Sequence, residues 1–515
     1  MNKFFRAVAF VTIFSVLTRA LGFFLRIYLS RIMGAEILGA YQISMSIFGV
    51  LMTLISSGLP LVISRNVAYY NAKSDKSMQH KNITAGLVIS LIISIVLSVV
   101  VMVFPGLLKL IIKSDESINI IRMLCPALVA SAVYAILRGG LWGQKYFFTI
   151  SFTEFFEQVA RIIFCIVLFS IPMGFSVGEK AALSLTLSCI ASAVLVVVLY
   201  FAFGGRFCSP KGTFRAIVKT STPITLVRTI SSIVGSLIAI IIPIALRNYG
   251  YTESEALAQF GIFMGMTMPL IMVPNTFIGS IAVALVPEIS GYTKNIDKEK
   301  VANIDELSKK VLMAIKTTIL ISFALMPVFI ALGGPICTIL FNNSEAGMYL
   351  SVCAILMLPI GIGQICSSML NALGLEMKAL INYAIGAIGL FVSIFVLPKY
   401  IGTYSIVVGM LIMHTTTCLL SLNMLKKRKV LDWSFIKIIG ACAMICVPTA
   451  ILGHLVYSLL VKFISMFFAL AIGCIITFVF NILLMFVLDL ANIKIVVAQF
   501  VKKKKHNRKL KEQPA

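Results

Sequence analysis

Apolar blocks of about 20 to 28 residues, separated by short polar breaks, recur along the whole chain, and each is long enough for a helix to cross a bilayer's hydrocarbon core. Nothing else constrains the fold as strongly. Without water, every backbone N–H and C=O must be bonded within the chain, which leaves only helices and closed barrels. Barrel strands need only about 9–11 residues, so these blocks point to an all-α, polytopic membrane protein. Composition agrees: of 515 residues, 60% are hydrophobic and 12% charged, and the mean hydropathy is +1.03.

Fourteen transmembrane spans are expected, at roughly 7–32, 36–63, 83–112, 118–142, 150–172, 179–203, 217–246, 255–287, 309–333, 347–372, 377–398, 403–425, 435–460 and 463–488,. Lys3 and Arg6 ahead of "AVAFVTIFSVL" resemble the start of a secretory signal. The apolar run nevertheless continues through Arg19 and Arg26 with no small-residue cleavage site, so it reads as a retained first span,.

The net charge is +25. Counted from a cytoplasmic amino terminus, thirty-one of the 44 Lys and Arg fall on the cytoplasmic side, eight on the outer side and five within spans. This is the positive-inside bias of a membrane protein, and it predicts both termini in the cytoplasm. It removes the need for a nucleic-acid partner. The basic tail "KKKKHNRKLK" is suited to anionic membrane lipid,. Eleven cysteines and four histidines are scattered without metal-ligand spacing,. There is no P-loop, nucleophile elbow or dinucleotide turn. The expectation is a protein that is not an enzyme and needs no cofactor.

The chain repeats itself weakly. Span 2, "EILGAYQ…GLPLVISR", and span 8, "SEALAQF…VALVPEIS", both open with a Glu, a Leu beside small residues and a Gln, and both close near a Pro. Span 4 ends in "LRGGLWGQK" and span 10 in "MLNALGLEMK"; spans 5 and 11 run to Pro172 and Pro398. Six spans separate each pair. That predicts two pseudo-symmetric six-helix lobes, 1–204 and 205–425, followed by two further helices in 426–490 and a basic tail, 491–515. Duplication of this kind is typical of secondary transporters, whose substrate sites lie between the repeats.

Charges inside the spans mark the candidate site. Arg19 and Arg26 are seven residues apart and share one helix face,. An arginine at mid-helix costs about 2.5–3.5 kcal/mol on insertion scales, so such a stripe is expected to face water or an anion. Span 5 carries "TEFFEQVAR", with Glu157 and Arg161 spaced to pair at i, i+4,. Glu154 belongs to the same polar wall. Arg228 in span 7 lies among Thr and Ser residues and is the repeat counterpart of the first-span charges, expected to face Arg19 across the lobe interface. Guanidinium groups bind phosphate through a bidentate fork, and a carboxylate would satisfy them too. The residues alone predict a transporter or flippase with an anionic substrate.

Three stretches carry a resemblance: "TRALGFFLRIYLSRIMGAEILGAYQ" with "SSGLPLVISR", then "LRGGLWGQKYF" running into "FEQVARIIF", then "GMTMPLIMVPNTFIGSIAVALVPEIS". Together they resemble the stage V sporulation protein B branch of the polysaccharide biosynthesis exporters. That branch belongs to the superfamily of multidrug extrusion proteins, O-antigen flippases and lipid II flippases. The resemblance spans nearly the whole chain. It implies export of an undecaprenyl-pyrophosphate-linked sugar, lipid II or a related peptidoglycan precursor for spore cortex, by alternating access at the cell membrane. It also implies that Arg19 lines a cationic cavity. Arg26 departs from the lipid II flippases, whose second arginine stands one residue earlier and precedes an Asp; here Leu25 and Ile27 flank it. The alternatives are a multidrug/cation antiporter of the same fold, which would want carboxylates in the cavity, and a non-transporting membrane scaffold, which would not need midspan arginines.

Overall fold

A computed structural model describes residues 3–293, 302–428, 430–431, 433–488 and 490; the basic tail 491–515 lies outside the described residues. Among them no strand occurs. Contacts divide the chain into two compact units, Met1–Gly265 and Met266–Ala515.

The first unit contains α1 (Lys3–Ser56), α2 (Leu59–Ala72), α3 (Lys76–Val103), α4 (Pro105–Ile111), α5 (Asp115–Gly143), α6 (Phe147–Ser170), α7 (Val177–Ala202), α8 (Phe214–Asn248) and α9 (Glu253–Phe260). Helix starts are set by short polar residues. Asp75 accepts from Met78 N–H, and Ser114 from Ser117 N–H. Ser176 with Glu179 and Thr252 with Glu255 form reciprocal capping boxes,. Two apolar clusters lie among its described residues. Ile63, Val67, Ile83, Ile136 and Leu137 anchor one, and Ile55, Ile120, Leu124 and Ala182 the other. Both α8 and α9 pack on α1, which is why the contact division falls after Gly265 and not at the end of the sixth expected span.

A π-helical segment, Gly261–Thr267, leads into the second unit: α10 (Met268–Ile271), α11 (Val273–Thr293), α12 (Ala302–Phe341), α13 (Ser344–Cys353), α14 (Met357–Ala372), α15 (Glu376–Val396), α16 (Pro398–Ile401), α17 (Ser405–Lys427), α18 (Ile436–Leu460) and α19 (Met466–Val487). Pro327 inside α12 cannot donate to the Phe323 carbonyl,. Asn481 of α19, fully buried, donates to that carbonyl at 2.7 Å.

Eleven stretches among the described residues are long and apolar enough to cross a membrane, or twelve when the pair Glu253–Ile271 and Val273–Ala282, bent by 51°, is taken as one span. The expectation of fourteen differs for two reasons. The first two expected spans join into one stretch, Ile13–Ala72, because the only non-helical residue between them is Gly34 (φ 69, ψ 175). And α6 carries Glu154, Glu157 and Arg161 within one window, too much charge to qualify by composition. Each of the fourteen expected spans coincides with helix. The protein is an all-α, multi-pass membrane protein.

Candidate functional site

The arginine stripe lies on α1. Arg19 and Arg26 are both exposed in the first unit. Ile13, Leu17, Phe24 and Tyr28, exposed on the same helix, form a stripe about 150° away at about 100° per residue, and the exposed Val16 lies between that stripe and the arginines,. A third face meets α6. Phe14 makes edge contacts with Phe148, Phe152 and Phe155 at ring-centroid distances of 5.8, 6.3 and 5.3 Å, and Gly22 lies beside the Gln158 amide. The two arginines thus lie off both the packed face and the main exposed apolar stripe of the helix. No hydrogen bond or ion pair among the described residues engages Arg19 or Arg26.

The carboxylates of α6 are paired. Arg161 Nη2 meets Glu157 Oε1 at 2.6 Å, as the i, i+4 spacing predicts, and Arg161 Nε donates to Ser188 Oγ of α7 at 3.3 Å. Glu154 pairs with Arg138 of α5, a partner that the linear sequence did not single out. Its signal was symmetry: both residues stand eight positions from Tyr146 in the turn between antiparallel helices. Tyr134 and Thr153 share a hydroxyl–hydroxyl hydrogen bond of 3.2 Å beside them. Tyr41, the other residue missed, lies within the electrostatic reach of both Arg161 and Arg26. With both carboxylates committed to Arg138 and Arg161, neither of them pairs with Arg19 or Arg26.

Arg228 reaches the chain break between α1 and α2. Its Nη1 donates to the Ser57 carbonyl at 3.2 Å. It lines a cleft of about 400 Å³ with Met52, Thr53, Ser56, Ser57 and Ser231. The break follows from "SSGLP": Gly58 sits too close to Ser221 and Thr225 of α8 for any side chain, and Pro60 stands in the first turn of α2,. Among the described residues, no group of three or more His, Cys, Asp or Glu side chains is placed to hold a metal ion.

Comparison with known proteins adds the family. Residues 4–293 match the model of the polysaccharide biosynthesis protein family, more than half of the chain. The chain belongs to this family. Among its relatives, stage V sporulation protein B of Bacillus subtilis (strain 168) is 24% identical over 396 residues, covering 74% of this chain and 75% of the relative. Lipid II flippase MurJ of the same organism is 23% identical over 234 residues, 43% of this chain and 42% of that one. Within the superfamily the chain falls in the branch of the first. Solved structures share the fold. A lipid II flippase MurJ in an inward closed conformation superposes with a TM-score of 0.67 at 15% identity, covering 93% of this chain and 98% of that chain. An inward-facing multidrug resistance MATE family transporter of the MOP superfamily gives 0.64 at 18%, covering 81% and 94%. This polysaccharide biosynthesis family member therefore has a membrane-transporter fold, and its matched region includes every charge of the candidate site.

Proposed function

We propose that the protein is a flippase that moves an undecaprenyl-pyrophosphate-linked sugar, lipid II or a related peptidoglycan precursor of spore cortex, across the cell membrane by alternating access. The observation that carries this reading is the α1 stripe. Arg19 and Arg26 share a face turned away from the helix's exposed apolar side and have no acidic partner among the described residues. A cation in that position is stabilised by water or by an anionic ligand, and a guanidinium fork matches pyrophosphate oxygens. The lipid tail then stays in the bilayer while the headgroup crosses. Glu157 and Arg161 hold each other and act as the wall of the site; Arg228 supplies a further guanidinium in the same unit. The relatives named stage V sporulation protein B and lipid II flippase MurJ support the cargo class.

The two six-helix lobes suggested by the internal repeat, 1–204 and 205–425, would be the bodies that alternate. The excess of Lys and Arg on one side supports cytoplasmic termini,. A multidrug/cation antiporter fits less well, because the two carboxylates of α6 are both neutralised by arginines. The deciding experiment is translocation of labelled lipid II in proteoliposomes. Flipping by the wild type and none by Arg19→Ala is the expected result; no flipping by a folded wild-type protein overturns the proposal.

A further inference from the structure

The cleft at the α1–α2 break differs in chemistry from the arginine stripe, and the difference lies in where its protons go. Thr53 Oγ1 donates to the Gly49 carbonyl at 2.7 Å, Ser56 Oγ to Met52 at 2.6 Å and Ser231 Oγ to Val227 at 3.1 Å. A hydroxyl has one proton; once that is committed to its own helix, it offers only lone pairs. In this arrangement three of the hydroxyls lining the cleft present lone pairs to it,. Arg228 is the opposite, a fork of five N–H donors of which one is recorded on the Ser57 carbonyl. Ser57 Oγ is buried with no partner and is free to donate or accept. Met52 is the apolar side chain among the described lining residues.

This set discriminates between ligand classes. A phosphate or carboxylate oxygen wants donors alone and would face three acceptor hydroxyls. An ammonium group would meet Arg228. A polyhydroxy ligand with carbonyl groups satisfies both kinds, its O–H groups donating to Thr53, Ser56 and Ser231 and its acylamido or ring oxygens accepting from Arg228. The volume of about 400 Å³ falls within the roughly 300–1,000 Å³ of small-molecule sites. We propose that this cleft is a saccharide subsite, which takes the sugar of the cargo while the α1 arginines take its pyrophosphate. The assignment of two separate subsites rests on the flippase reading; the saccharide chemistry of the cleft does not.

The test measures binding to the full-length protein in a sugar-free detergent, with an N-acetylglucosamine disaccharide and inorganic pyrophosphate as separate probes. Thr53→Val with Ser231→Ala removes two acceptors without touching a charge. It should weaken disaccharide binding at least about fivefold and leave pyrophosphate binding unchanged, while Arg19→Ala does the reverse. Should the double variant unfold, Ser231→Ala alone makes the same comparison. The saccharide assignment is overturned if the wild type does not bind the disaccharide, or if the hydroxyl variants bind it normally. Joint loss of pyrophosphate binding in those variants makes the cleft an anion site and overturns it too. Disaccharide binding without pyrophosphate binding leaves the cleft assignment standing and removes the headgroup role of the α1 stripe.

Discussion

Arg138 of α5 and Glu154 of α6 form an ion pair across the turn that joins their helices, with side chains 41% and 33% exposed. Such a pair lies between a solvated surface bridge and a buried one. Glu154→Gln alone is expected to lower stability by about 1–2 kcal/mol, and Glu154→Gln with Arg138→Gln to regain most of it. Thermal denaturation of the three variants measures the coupling. Simple additivity of the two single losses would show that the pair contributes nothing.

Arg19→Ala is expected to leave the protein folded and inserted but inactive in lipid II flipping, and Arg19→Lys to restore part of the activity, because an ammonium lacks the bidentate fork. Since no acid partners Arg19 among the described residues, its removal strands no carboxylate and the melting temperature should hold. A clear loss of stability would instead reveal a structural partner.

Asn481→Leu is expected to destabilise the protein by about 1–3 kcal/mol, because it leaves the Phe323 carbonyl buried and unpaired,. The rescue is specific: Pro327→Ala returns a backbone N–H to that carbonyl and should recover stability in the Asn481→Leu background. Absence of rescue in a thermal melt would dissociate the asparagine from the proline.

Gly39 packs against the backbone of Leu257 and Gly261 with no room for a Cβ, whereas nothing lies within 4 Å of one at Gly49. Gly39→Ala should cost about 1–3 kcal/mol through overpacking. Gly49→Ala should leave stability unchanged or raise it by about 0.5–1 kcal/mol through reduced backbone entropy. Equal melting temperatures for the two variants would refute the close approach.

Reporter fusions after Lys429 and at Ala515 should both report cytoplasm, given the thirty-one to eight distribution of Lys and Arg,. An external signal at either point rejects the orientation.

The transmembrane architecture was legible because span length is imposed by the bilayer and written as uninterrupted apolar runs. Glu157 and Arg161 were legible for a related reason: helical spacing alone brings them together. Arg138 with Glu154, Tyr41 near Arg26, and Asn481 on the Phe323 carbonyl were not, since each depends on which helices become neighbours. The polar cleft escaped for a further reason. Ser56 and Ser57 look like ordinary polar spacers in "LISSGLP", and only the position of Arg228 on α8 gives them a shared surface.

Two glycines five residues apart in α1 are irreplaceable on different grounds. At Gly39 the obstacle is room. At Gly34 nothing lies within 4 Å of where a side chain would go, yet φ 69 and ψ 175 fall in a region essentially closed to L-residues. The obstacle there is handedness. The joint between the first two crossings therefore rests on a backbone conformation reserved for glycine and not on a close contact,. The arginine-bearing arm of α1 is therefore aimed by one backbone conformation that no repacking of neighbours can imitate.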